Sequence, residues 1–382
     1  MKIGIDIRLI GKNRTGDEAY FFNLVKNLAV AGKENEYYLY IDRDPEKDTA
    51  LKKEISKLEL GNSFKIVFIN SPNRFWWNLW ALPAYLKKNP VDIFHTQYIA
   101  PFWLPKNIKL VLTIHDISFN FFPQHIKKSD LFFLKTLIPR SVKRADKIIT
   151  VSESEQQRII KFYKIAPEKI EFAYNGVNFE RFNHKYSNSE KEEIREKYNL
   201  PEKFLLYVGT LQPRKNIPAL VETLKAYLDK YPDKNIKLLI AGNRQAHNFD
   251  RKIDEAVGKY NLQSSVIFPG WIEESDKPII YQLASCFVFP SLYEGFGIPI
   301  IEAMAAGIPV VSSNKSSLLE VGKDAAVFVD PANHAEFAEK IHEALTNENL
   351  RNNLVQRGKK VAREYSWQKT AEKVLKVYKS VQ

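Results

Sequence analysis

The stretch FVFPSLYEGFGIPIIEAMAAGIPVVSS, residues 287–313, holds a strand, a glycine turn, a helix and a second strand within 27 residues. Phe287 to Phe289 continue a buried-type apolar run that stops at Pro290, and a loop with Gly295 and Gly297 follows. Pro299 stands where a first helical residue belongs, and Gly307 lies past the helix end. The glycines let backbone N–H groups approach a ligand closely, and the helix N-terminus adds the positive end of its dipole. Such a loop suits a phosphate or another anion. Glu294 is expected in the loop and Glu302 in the first helical turn, each an acceptor for sugar or ribose hydroxyls.

Outward from this unit, short β-rich runs alternate with longer stretches of helical period, which marks parallel α/β folding. In the first half, strands are expected near 2–9, 37–42, 64–70, 91–96, 109–114, 146–151 and 169–174, with helices over 17–31, 74–88, 128–144 and 153–163. Ser152, with Glu155 three residues on, forms a capping box for the last of these. After Asn175-Gly176, the polar, turn-rich residues 178–203 read as a connection. A second series then opens with FLLYVG (204–209), IKLLIAG (236–242), SVIFPG (265–270), CFVFP (286–290), IPVVSS (308–313) and AAVFVD (325–330). The restart predicts an α/β protein of two Rossmann-like domains, 1–177 and 178–363, with a ligand between them beyond the carboxyl ends of the strands. A last helix over 364–382 carries Trp367, Val374, Leu375 and Tyr378 on helical spacing.

A length of 382 residues, 45% hydrophobic and 27% charged, supports two buried cores and excludes disordered and collagen-like classes. The single cysteine, Cys286, allows no internal disulfide and no cysteine-built metal site, as in a reduced, cytoplasmic protein. The N-terminal MKIGIDIRLIG runs straight into a strand pattern without a signal-peptide apolar region, and the sequence contains no run of 18 apolar residues, the length that spans a bilayer. Of the formal charge of +12, residues 51–150 carry +10, from 16 Lys/Arg against 6 Asp/Glu. That excess is interleaved with aromatics in PFWLPK (101–106), FNFFPQHIKK (119–128) and LFFLK (131–135). Three readings stay open: an anionic membrane surface, with Lys127 and Lys128, beside Phe121 and Phe122, as the first positions to test; a groove for a charged acceptor; or solvated surface. Nucleic acid is not expected as a partner, because no nucleic-acid motif accompanies the charge. Arg74, Trp76, Trp77 and Trp80, with Leu79 and Leu82, form an aromatic helix face of the kind that is usually core, with a lining of the acceptor cleft as the other reading for part of it.

A second strand–loop–helix segment, VGTLQPRKNIPAL (208–220), places Arg214 and Lys215 where two cations balance a diphosphate without a metal. A leaving nucleoside diphosphate needs this, because charge develops on its oxygens as the bond to the sugar breaks. His115 ends a strand and precedes Asp116; His95 also ends one, whereas His125, His184, His247, His334 and His342 lack such a setting. Asp42 and Asp44 in YIDRDP have the spacing of a metal-binding pair but sit in what reads as a charged surface turn. No metal or other cofactor is expected.

Taken together, these residues resemble the retaining glycosyltransferases of family 4, which have the GT-B fold. The resemblance covers nearly the whole chain. Its most specific part is the E-x7-E motif from Glu294 to Glu302, supported by GTLQPRKN (209–216), His115-Asp116, NGV (175–177) and VSSNKSSLLEVGKDAAVFVDP (311–331). It implies two Rossmann-like domains facing each other across a cleft, with the last helix crossing back to the first. It further implies that Lys215 binds the donor diphosphate with Arg214, Glu294 the donor sugar and Glu302 the ribose, that Gly16, Phe296, Gly297 and Ile298 belong to the same donor-binding set, and that His115 lies beside the reacting carbon. A base pocket is expected near Phe268-Pro269-Gly270-Trp271. The chain departs from the family pattern at Thr210, where many members have an arginine that Arg214 would replace, and at RTGDEAY (14–20), where Asp17 follows Gly16.

The activity implied is transfer of a hexose from a nucleoside diphosphate sugar, GDP-mannose first and a UDP-sugar second, to a glycan or lipid-linked acceptor in cell-surface polysaccharide synthesis. Retention would follow a front-face course in which the leaving phosphate takes the acceptor proton. Two other classes share the fold: a nucleotide-sugar 2-epimerase, expected to carry further carboxylates in the cleft, and a non-catalytic sugar-nucleotide-binding module, expected to lack the cleft residues of the first domain.

Overall fold

A computed structural model describes residues 1–12, 16–231, 235–246 and 248–382. The chain divides into two compact units: Met1–Phe121, Lys127–Gly176 and Trp367–Gln382 form one, and Phe122–Ile126 with Val177–Ser366 form the other. Each has one parallel sheet.

In the first unit the strands are β1 (Lys2–Asp6), β2 (Glu36–Ile41), β3 (Phe64–Phe68), β4 (Ile93–Gln97), β5 (Lys109–Thr113), β6 (Lys147–Thr150) and β7 (Ile170–Phe172), in the order β3-β2-β1-β4-β5-β6-β7. In the second they are β8 (Phe204–Val208), β9 (Lys237–Ala241), β10 (Val266–Gly270), β11 (Cys286–Phe289), β12 (Val310–Ser313) and β13 (Val327–Val329), in the order β10-β9-β8-β11-β12-β13. The central strands are apolar on both faces because helices cover both, so Ile3, Ile5, Phe94, Leu112, Leu206, Val288 and Val311 are fully buried. Each expected strand is present, with ends that differ from the expected ones by one to three residues.

The last helix, Trp367–Ser380, belongs to the first unit and packs along Gly16–Ala31. Its apolar stripe of Trp367, Val374, Leu375 and Tyr378 is buried. His95 does not end β4; it occupies the middle of that strand with no exposed surface, hydrogen-bonded through Nδ1 to the Tyr378 hydroxyl at 2.6 Å and through Nε2 to Thr113 Oγ1 at 2.7 Å. The last helix and the sheet are therefore joined by a buried polar link.

The tryptophan segment is not one helical face. Arg74–Trp76 is α-helical, Trp77–Ala81 is a π-helical turn and Leu82–Lys88 is α-helical again. The wider turn breaks the helical periodicity. Trp77 is thereby buried, with the Arg8 guanidinium 4.6 Å above its ring, while Phe75, Trp76 and Trp80 are exposed. No helix among the described residues is long and apolar enough to cross a membrane.

The His95 link generates a pH prediction. Burial, reinforced by nearby His115, pushes the His95 pKa down to about 3, so the imidazole stays neutral in the fold while an unfolded chain takes up a proton below about 6.5. Stability from this group is complete above that value and is lost as pH falls from there toward 3, at about 1.4 kcal/mol per pH unit. In urea unfolding at pH 7.5, 6.0 and 5.0, the His95→Gln variant is expected to lose less stability on acidification than the parent.

Candidate active site

The strand order of the second sheet runs outward from β8 to β10, then resumes on the other side at β11. The loops that leave β8 and β11 at their carboxyl ends consequently carry the chain in opposite directions, opening a crevice of the sort that binds nucleotides in such sheets. These are the RKN loop and the glycine loop recognised in the sequence. They are tied together: Leu292 N donates to Arg214 O at 2.9 Å, Arg214 Nη1 donates to Tyr293 O at 2.9 Å, and Asn216 Nδ2 donates to Pro290 O at 3.4 Å.

At the centre of these ties is Glu294, almost fully buried. One carboxylate oxygen is ion-paired to Lys215 Nζ and accepts from Ser291 Oγ at 2.6 Å; the other lies 3.4 Å from Arg214 Nη1. Burial works to raise the Glu294 pKa, but the charges of Lys215 and Arg214 and the Ser291 bond outweigh it, and the carboxyl is held below its ordinary value. Asn216 adopts a left-handed conformation, φ 56°, which turns the chain sharply between the short Pro213–Lys215 helical turn and the helix Ile217–Lys230. That turn is what delivers Lys215 inward. Thr210, where the family pattern has an arginine, places a buried hydroxyl at the end of β8 that has no hydrogen-bond partner among the described residues.

The helix after the glycine loop runs Ile298–Ala306, capped by Gly297 at φ 103° and ended by Gly307 at φ 78°. A Cβ on Gly297 would lie 2.8 Å from Leu318 Cδ2 in addition to the unfavourable backbone angle, so no side chain is tolerated there. Ser316 and Ser317 hold the loop from behind, their hydroxyls donating to Glu294 O at 2.6 and 2.9 Å. Phe296 is buried and packs its ring edge-on against Tyr365, 5.4 Å between centroids.

Glu302 lies in the second turn of this helix, not the first, because Ile298 and not Pro299 begins it. Tyr281 Oη donates to Glu302 Oε2 at 2.9 Å, and Lys277 Nζ is 3.9 Å from Oε1 and 2.8 Å from Glu274. Burial raises the Glu302 pKa; Lys277 opposes this and Glu274 adds to it, leaving the carboxyl above its ordinary value. Lys277 and Tyr281 are one helical turn apart on Lys277–Leu283, a spacing visible in the sequence but without meaning until the helix is laid beside Glu302. Near the expected base pocket, Gly270 ends β10 with φ 81° and accepts from Gly242 N at 3.1 Å, while Arg244 lies over the Phe268 ring at 4.4 Å.

In the first unit, His115 follows β5 and is nearly buried. Its Nε2 is 3.0 Å from Gln97 Oε1 at the end of β4 and 4.0 Å from Asp17 Oδ1, and Tyr20 meets its ring edge-on at 4.9 Å. Burial lowers its pKa against the pull of Asp17 and Asp116, favouring neutral imidazole. Gly16 opens the helix Gly16–Ala31 at an exposed position, whereas Arg14 and Thr15 of the same motif, like His247 elsewhere, lie outside the described residues. Asp42 is paired with Lys12 at 2.8 Å and Asp44 accepts from Glu46 N at 3.0 Å, and the pair sits in a charged turn.

Comparison with known proteins places this geometry. The pattern of the family "Glycosyl transferases group 1" matches residues 190–361, and that of "Glycosyltransferase Family 4" matches residues 15–181. O-antigen chain mannosyltransferase B of Escherichia coli is 28% identical over 383 residues, spanning 96% of both chains. Among solved structures, sucrose-phosphate synthase from Thermosynechococcus elongatus superposes with a TM-score of 0.79 at 21% identity, covering 100% of this chain and 99% of that one. Anabaena HepE, solved in complex with UDP-glucose, superposes with a TM-score of 0.75 at 18% identity over the full length of both chains. Two matched halves, the paired Rossmann-like sheets and the Glu294–Glu302 motif agree: the chain belongs to the family 4 glycosyltransferases of GT-B type.

Proposed function

We propose that the chain is a retaining hexosyltransferase that uses GDP-mannose, with a UDP-sugar as the second choice, to extend a glycan or lipid-linked acceptor in cell-surface polysaccharide synthesis. The observation that carries the reading is the convergence of Arg214 and Lys215 on Glu294 beside the Gly297-capped helix. A donor diphosphate meets two cations and the backbone amides of a helix N-terminus there, as the leaving group of such a transfer requires. Phosphate oxygens compete with Glu294 for Lys215, and the carboxylate so released accepts from hydroxyls of the donor sugar. Glu302, oriented by Tyr281 and Lys277, accepts from the ribose hydroxyls.

The reaction breaks the bond between the anomeric carbon and the β-phosphate oxygen, and forms the new glycosidic bond on the same face. The acceptor proton passes to the departing phosphate, whose charge Arg214 and Lys215 hold, and His115 in the first unit is assigned to the transfer chemistry by its family resemblance. Mannose as the transferred sugar is supported by the similarity to an O-antigen mannosyltransferase across nearly the full chain; UDP-glucose bound to HepE supports the second choice. We place the enzyme on the cytoplasmic side, peripheral at the inner membrane face.

Calorimetry with GDP-, UDP- and dTDP-sugars tests the donor, and GDP-mannose is expected to bind most tightly. Lys215→Ala should weaken the free nucleoside diphosphate by roughly tenfold to a hundredfold, from the loss of a charge-assisted bond of about 1.5–3 kcal/mol. Glu302→Ala should also weaken the free nucleoside diphosphate, whereas Glu294→Ala should act chiefly on the intact donor. Equal losses for both ligands in both variants would contradict the division of roles.

Acidification separates the two carboxyls. Glu302, raised, takes up its proton before Glu294, lowered, and a protonated carboxyl is a poorer acceptor. Nucleoside diphosphate affinity is expected to fall as pH drops, beginning above the ordinary carboxylate range, and Glu302→Gln should flatten that fall.

Transfer should survive excess EDTA, because two cations and helix amides take the place of a metal at the diphosphate. Activity abolished by chelation and restored by magnesium or manganese would refute this.

A further inference from the structure

One of the three readings of the basic, aromatic stretch 51–150 is an anionic membrane surface, with Lys127 and Lys128 beside Phe121 and Phe122 as its first test positions. Phe122 is half-buried, lies within the second unit and packs 6.1 Å from Tyr293, so it is not part of any exposed patch. Phe121 is exposed and meets exposed Phe162 edge-on at 6.1 Å, but a larger group of exposed rings in the first unit lies on three other elements.

The first is the interrupted helix that presents Phe75, Trp76 and Trp80, the last 55% exposed. The second is the loop 101–105: the Phe102 ring is 5.8 Å from that of Phe75, the Trp103 ring is 6.5 Å from that of Trp80, and Trp103 Nε1 donates to Leu79 O at 2.9 Å. The third is the helix Lys128–Arg144, which carries Phe132, 66% exposed, beside Phe133. Arg140 on that helix donates to Phe102 O at 3.0 Å and lies over its ring, and Arg74 reaches Asp130 at 3.9 Å. These ties make one continuous face with five exposed apolar rings.

Isolated exposed apolar residues need no explanation, but a contiguous group rimmed by charge marks an interaction surface. Around these rings stand Lys106, Lys127, Lys128, Lys135 and Arg140, all exposed, and the carboxylate within the group, Asp130, is engaged with Arg74. Phenylalanine offers no hydrogen bond to a glycan or a polar protein partner, whereas rings with cations at their edge match the headgroup layer of an anionic bilayer. We infer that this face docks on an anionic lipid bilayer, with Trp76, Trp80, Phe132 and Phe133 entering the interface and the surrounding lysines held by lipid charge. The inference deepens the peripheral placement proposed above and rests on that reading for its role: it would bring the enzyme to lipid-linked acceptors.

The test is co-sedimentation of the full chain with vesicles of phosphatidylcholine alone and of phosphatidylcholine with phosphatidylglycerol, at low and high salt, with no donor present. Binding is expected only to the anionic vesicles, falling with salt because the Debye length shrinks from about 10 Å at 0.1 M to 3 Å at 1 M. W76S/W80S/F132S/F133S should bind at least tenfold more weakly, and so should K127E/K128E/K135E. Both sets lie on exposed positions, so unchanged thermal unfolding and unchanged donor affinity would show that the fold and donor site are intact. Three results would overturn the inference: no vesicle binding; binding that the serine variant retains in full; or a dimer, or binding to a neutral mannan, that the serine variant abolishes while vesicle binding stays. Because donor and vesicle are read separately, failure on vesicles leaves the donor reading intact, and the reverse also holds.

Discussion

A buried carboxylate cannot sit at the end of a sheet without a counter-charge, and Glu294 is such a carboxylate. Lys215 is nearly as buried, and it reaches Glu294 because the strand order reverses between β8 and β11, which makes their loops neighbours. The reversal is thus a constraint on charge as well as on chain path: any shift of either loop would strand one member of the pair. Removing one partner of such a pair typically destabilises by about 3–5 kcal/mol. Set against a typical total of about 5–15 kcal/mol for a folded protein, that is enough to make the loops one structural unit. The ties from Arg214 to Tyr293 and from the two serines to Glu294 O complete it.

The two glutamates of one motif live in different electrical surroundings. Glu294 has two cations and a hydroxyl, and remains an anion to low pH; Glu302 has one tyrosine, a more distant lysine and a competing carboxylate, Glu274. The first is suited to share its counter-charge with a phosphate. The second keeps its proton more readily and is suited to a neutral hydroxyl partner. Eight residues of sequence separate them, yet the difference arises from elements outside the motif: the RKN loop for one, the helix Lys277–Leu283 for the other.

Much of this was legible in the sequence, for reasons that differ by element. The strands were readable because a parallel sheet covered on both faces requires uninterrupted apolar runs, and glycine and proline fixed the limits of the helix Ile298–Ala306 to within a residue. Lys215 and Glu294 were readable because their loops carry turn residues that serve no other purpose. Lys277 and Tyr281 were not, since an i, i+4 pair of lysine and tyrosine is ordinary on a helix and acquires meaning only from tertiary packing. Nor was the fate of the tryptophans: a π-helical turn at Trp77–Ala81 has no sequence signature, and it decides that Trp77 is core while Trp76 and Trp80 are surface. His95 looked like a strand-end polar residue because its partner, Tyr378, is 283 residues away.

That last distance bears on how the chain folds as it is made. The first unit lacks its Trp367–Ser380 helix, and His95 its Tyr378 partner, until residues beyond the whole of Val177–Ser366 have been synthesised. Domains generally fold in the order in which they emerge from the ribosome. Here the order is inverted for completion: the second unit has nearly all of its chain while the first still waits with the apolar side of Gly16–Ala31 uncovered. A nascent chain of this protein therefore passes through a stage in which its earlier half is the less finished one.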